Sequence, residues 1–87
     1  MIRDGFVIEN GIVVDHEVSS EVENAAVVFP KEAVVIGENL FRGYRNIKSV
    51  IFPQGLVRID ESAFQSCTNL ESIVIPEGVR TIGDGAF

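Results

Sequence analysis

Cysteine occurs once in this chain, at Cys67, and histidine once, at His16. A lone cysteine excludes an intramolecular disulfide and leaves the redox compartment open. Such a residue is expected as a small buried hydrophobe rather than as a reactive thiol. Basic residues are scarce too: seven Lys and Arg stand singly against thirteen acids, for a net charge of −6. A phosphate backbone needs clustered cations, so nucleic acid is excluded as a partner. The longest apolar runs reach only four or five residues, as in AAVVF at 25–29, far short of the roughly 20 residues of a membrane-spanning helix. The opening MIRDGFVIEN lacks the charged n-region and apolar h-region of a signal peptide. The chain is therefore expected to be cytoplasmic, or to be one from which a leader is removed.

What is present is a globular composition. Of the 87 residues, 46% are apolar and 23% charged, well outside the polar, highly charged regime of disordered chains. A chain of this length makes one small domain that buries about two-thirds of its unfolded surface.

The sequence also repeats. Residues 46–64 read NIKSVIFPQGLVRIDESAF and residues 69–87 read NLESIVIPEGVRTIGDGAF, twenty-three residues apart, with seven of nineteen positions identical. Ile47 falls on Leu70, Val50 on Ile73, Phe52 on Ile75, Pro53 on Pro76, Gly55 on Gly78, Ile59 on Ile82 and Ala63-Phe64 on Ala86-Phe87. One further step back places Val27, Phe29, Pro30, Ile36 and Phe41 on the same columns. That first copy is degenerate, with Asn24 and Glu32 where the others carry an apolar residue and a glycine.

Within a copy, Leu70-x-x-Ile73-x-Ile75 ends in the period-two alternation of a short half-buried strand, and Pro76 stops it because proline cannot donate to a ladder. Val79-x-x-Ile82 predicts a second extended piece, and Asp60-Glu61-Ser62-Ala63-Phe64 predicts a capped single turn of helix that drives Phe64 inward. One coil cannot bury its own apolar edge. Stacked coils, with equivalent strands about 4.8 Å apart, share a continuous core. Val27, Val50 and Ile73 are expected in one inward column, and Phe41, Phe64 and Phe87 in another.

The pattern L-x-x-I-x-I-P-x-x-V-x-x-I-x-x-x-A-F, with Cys67-Thr68-Asn69-Leu70 at its junction, resembles the BspA-like class of leucine-rich repeats over residues 24–87. Tyr44-Arg45 replaces Cys67-Thr68 in the first copy, as in an atypical terminal coil. The resemblance implies a leucine-rich-repeat solenoid, an α/β-type superhelix that is mostly β with short helical turns. It also implies a bacterial cell-surface or secreted protein concerned with adhesion and protein binding, with no enzymatic activity and no cofactor. Residues 5–17, GFVIENGIVVDHE, resemble the hairpin found ahead of such repeats, and Asn10-Gly11 is itself a strong two-residue turn signal. The expected organisation is a β-hairpin cap over 1–23, then coils 24–46, 47–69 and an incomplete 70–87.

Catalysis has little material, since a nucleophilic Cys-His pair needs hydrogen-bond reach while His16 lies on the cap and Cys67 on the second coil. Glu38, Asp60-Glu61 and Asp84 recur at one turn; a calcium ion needs several converging oxygens, so these acids are read as caps on helical turns. Alternation turns Ala26, Ser49 and Ser72 outward in one column and Val28, Ile51 and Val74 in the next. Polar residues are expected on a solvated sheet face. Three β-branched apolar residues there mark a candidate contact surface for a protein ligand, on the expected concave face: Val28, Ser49, Ile51, Ser72 and Val74. The other function class is a structural spacer or capping segment of a longer array, with no ligand of its own. Leu70, Ile73, Ile75, Val79 and Ile82 would form an open apolar end, so a longer array, a homo-oligomer through the C-terminal coil, or both are expected.

Overall fold

The computed structural model describes residues 1–87 and converts the repeat period into strand register. Nine short strands form two sheets: β1 Ile2–Arg3, β2 Phe6–Glu9, β3 Ile12–His16, β4 Ala25–Val28, β5 Val35–Ile36, β6 Ile47–Ile51, β7 Arg58–Ile59, β8 Ser72–Val74 and β9 Thr81–Ile82. One sheet has the order β4-β6-β8 and is parallel throughout. Its Cα partners, Val27 with Val50 with Ile73 and Val28 with Ile51 with Val74, lie twenty-three residues apart. The other sheet, β1-β2-β3-β5-β7-β9, carries the same spacing through Ile36, Ile59 and Ile82. Each coil contributes one strand to each sheet, and three coils stack.

The cap enters this scheme as part of the second sheet. Asn10 and Gly11 both take positive φ, 53° and 82°, which the tight turn between β2 and β3 requires. β3 then pairs in parallel with β5, Ile12 on Val35 and Val13 on Ile36, again at twenty-three residues. The hairpin thus supplies the strand that a coil ahead of the first would supply. Asp4 and Gly5, at φ 54° and 84°, form a second such turn that folds β1 back on β2. In the other sheet the degeneracy of the first copy appears as a register irregularity between Ala25 and Ala26, next to Asn24 at φ 54°.

The predicted helical turns are absent, and the reason is local. Residues 61–66 form consecutive turns instead. Ser62 and Ser66 sit at φ 58° and 64°, a left-handed conformation that ends any right-handed helix after one turn. The column repeats: Asn39 and Gly85 match Ser62, and Gly43 matches Ser66. Such turns stack as well as strands do. Of 43 backbone hydrogen bonds, 28 lie outside the strands, and many join equivalent turns of neighbouring coils, such as Phe41 N–H to Ala63 O and Phe64 N–H to Ala86 O, both at 2.7 Å.

Seventeen buried apolar residues from both sheets and the intervening turns make one core. Phe41 and Phe64 stack at 5.7 Å, and Phe64 and Phe87 at 5.5 Å with planes 3° apart. Phe29 and Phe52, just beyond β4 and β6, form a second stack at 5.6 Å. Aromatic columns of this kind contribute beyond the area they bury.

Candidate functional site

The outer face of the β4-β6-β8 sheet is set by the period-two alternation of its strands. Val27 and Val50 point into the core, so their neighbours point away. Val28, Ile51 and Val74 are 56%, 59% and 76% exposed, and their strands are paired at those positions. They form a continuous apolar stripe across the sheet, one residue per coil. Ser49 is half-buried and Ser72 exposed, directly paired in the adjoining column that Ala26 begins. All five expected residues therefore share one surface.

Between β6 and β8 this surface dips. A depression of about 370 Å³ is lined by Ser49, Ile51, Gln54, Ser72, Val74 and Pro76, among others. Lys48 and Glu71, equivalent positions of neighbouring coils, face each other at 3.9 Å near the start of these strands. Both side chains are more than half exposed, so the pair contributes little to stability.

A second apolar surface closes the stack at its far end. Ile75, Ile82 and Phe87 are 38%, 48% and 49% exposed, while Leu70, Ile73 and Val79 are half-buried. Their equivalents one coil earlier, Ile47, Val50, Phe52, Leu56, Ile59 and Phe64, are all buried because the third coil covers them. A depression of about 390 Å³ lies here against Phe64, Cys67, Leu70, Ile73 and Phe87.

The reactive side chains are engaged elsewhere. Cys67 donates its thiol to Phe41 O at 3.1 Å, and burial pushes the thiol pKa up, partly offset by the nearby Tyr44 backbone. His16 accepts the Val18 N–H at Nδ1, 3.0 Å away. The His16 ring also stacks on Phe41 at 4.1 Å, so both residues meet the same turn of the first coil, but each is bonded to backbone and not to the other. The recurring acids are not helix caps, because no helix is present for them to cap. Asp60 instead receives Arg58 Nε–H at 2.7 Å.

Two asparagines escaped the sequence reading. Asn46 Nδ2 donates to Ser19 O and Val22 O, each at 2.9 Å, and ties the end of the cap to the end of the first coil. Asn69 Nδ2 donates to Arg45 O one coil later. The signal was visible: each opens one of the two repeated lines, where an amide can clamp the preceding coil's backbone.

No helix is long and apolar enough to cross a membrane. No curated protein and no solved structure matches the chain. A family model does match, that of the BspA type leucine rich repeat region in six copies, over residues 17–87. Its first matched residue follows His16, the last residue of β3. With strand register, inward phenylalanine column and family pattern in agreement over most of its length, the chain belongs to the BspA type leucine-rich-repeat family.

Proposed function

We propose that this protein is a non-enzymatic protein-binding module that receives its ligand on the outer face of the β4-β6-β8 sheet. The observation that carries the reading is the stripe Val28, Ile51 and Val74, more than half exposed at every coil. Solvated strand faces favour polar residues, so a ladder of branched apolar side chains works against solubility unless something covers it. Ser49 and Ser72 supply hydroxyls beside it for orientation. An adhesin-like role at a bacterial cell surface, or in a secreted protein, accords with the family.

The test is Ile51→Asp combined with Val74→Asp. Any protein or peptide selected for binding to the wild-type chain from a displayed library is expected to lose its affinity for this variant, while urea unfolding stays cooperative. Val14→Asp, at an exposed position of β3 in the other sheet, is the control and retains binding. Loss of cooperative unfolding in the double variant would mean the stripe belongs to the core. Unchanged binding would favour the spacer reading.

Association through the third coil is a second part of the reading. It rests on the contrast between half-open Ile75, Ile82 and Phe87 and their buried equivalents one coil earlier. A two-fold pairing of like ends covers that surface in both copies by the same contacts. Light scattering at micromolar concentration is expected to show a dimer that Ile82→Lys dissociates; a wild-type monomer at all concentrations rejects it.

A further inference from the structure

His16 ends β3, where the cap meets the first coil. Its ring stacks on Phe41 at 4.1 Å with planes 22° apart and meets Tyr44 edge-on at 5.1 Å. Nδ1 accepts the Val18 N–H at 3.0 Å, which requires a neutral imidazole with its proton on Nε2. The Leu40 backbone of the first coil lies near enough to favour the charged ring. One side chain thus joins the end of β3, the segment that follows it and the turn that carries Phe41.

We propose that His16 is a pH-operated latch between the N-terminal cap and the first coil, closed while the imidazole is neutral and released when Nδ1 takes up a proton from solvent. The proton converts Nδ1 from acceptor to donor, so the Val18 N–H loses its partner and two N–H groups face each other. A charge also enters a half-buried site between aromatic rings.

The surroundings do not all act in one direction. From its own strand, the Asp15 carboxylate favours the cation, as does the nearby Leu40 backbone. From the first coil, the face of Phe41 offers a cation–π contribution, and Tyr44 brings a titratable phenol ring edge-on to the imidazole. Phe6, the Cα partner on β2, is apolar. Burial outweighs the favourable contacts and holds the imidazole below its usual 6.5. Because the folded value lies below the unfolded one, the latch has its full strength above pH 6.5 and loses it as pH falls through the folded value. Between the two values, cap opening grows by up to about tenfold per pH unit.

His16 is the only histidine, so its ring resonances in the intact 87-residue chain report one group without ambiguity. An NMR titration from pH 8 to pH 5 (about one unit above the usual carboxylate range) is expected to give a midpoint below 6.5. The Val18, Phe41 and Tyr44 amides should shift with that midpoint. Hydrogen exchange at Glu17 and Val18, corrected for its intrinsic pH dependence, should rise across the same window by up to about tenfold per unit. His16→Phe keeps the stack and should abolish the response; if it fails to fold, His16→Gln, whose amide oxygen can accept the Val18 N–H, takes its place. A midpoint at or above 6.5, exchange that follows only the intrinsic dependence, or an unchanged response in the variant each overturns the latch. Should neither variant fold, the wild-type titration and exchange decide alone.

Discussion

Truncating Phe64 to alanine probes the stacking of coils at its centre. The ring is 1% exposed, lies between Phe41 at 5.7 Å and Phe87 at 5.5 Å, and meets Phe52 edge-on at 5.8 Å. Removing a buried phenylalanine ring costs about 3–5 kcal/mol, and the spread reflects how far the site collapses or fills. Here the depression between Phe64 and Phe87 borders the site, so water can enter from that side, which puts the expected cost near 3 kcal/mol. At roughly 0.05–0.15 kcal/mol per residue, a domain of this length has about 4–13 kcal/mol in all. One ring therefore carries a quarter or more of the margin. In a urea titration with a slope near 1–1.5 kcal/mol per molar, the midpoint should fall by roughly 2–3 M. The same truncation along the column supplies an internal scale. Phe87 is 49% exposed, so Phe87→Ala should cost only about 1 kcal/mol, half of a full burial. A loss below about 1 kcal/mol for Phe64→Ala, or equal losses at both positions, would refute the packing argument.

Gly37 is expected to reject a side chain, because a Cβ there would lie 2.4 Å from Val13 O; Gly37→Ala should cost about 1–3 kcal/mol by the same titration, through displacement of β3 from β5. Ser62→Gly should raise stability by up to about 1 kcal/mol, since the position already holds a left-handed φ of 58° that glycine adopts freely and that Gly85 adopts in the next coil. Cys67 should react with iodoacetamide more slowly than a free thiol at pH 8, because burial raises its pKa above the ordinary 9.0. Its stabilising contribution is complete below that value and is lost as pH rises through the folded pKa, so alkylation at the rate of an exposed thiol would contradict the buried, hydrogen-bonded geometry.

The parts of the fold legible in the sequence are those encoded by spacing. The twenty-three-residue interval became the register of both sheets, and Asn10-Gly11 became a turn with two positive φ angles. Parts encoded by single backbone conformations were not legible. Ser62 and Ser66 carry no mark that they will turn left-handed, so the segment read as a helical turn. The two-residue strand β1 is too short to show alternation and is held by Asp4-Gly5 and its pairing to β2. That β3 falls into line with β5 at the repeat spacing was hidden, because the cap shares the interval without sharing the motif. For the candidate surface, alternation alone placed Val28, Ile51 and Val74 outward. The contacts of His16 with Phe41 and Tyr44 depend on the path of the chain between cap and coil, which no local pattern specifies.

Methyl chemical-shift mapping with a selected binding partner tests the functional account most directly, because both sheets display exposed methyl groups. The account predicts perturbation of Val28, Ile51 and Val74, with Val14, Val34 and Val57, exposed in or beside the strands of the other sheet, left unmoved. Perturbation centred on that second set, with the stripe silent, would contradict it.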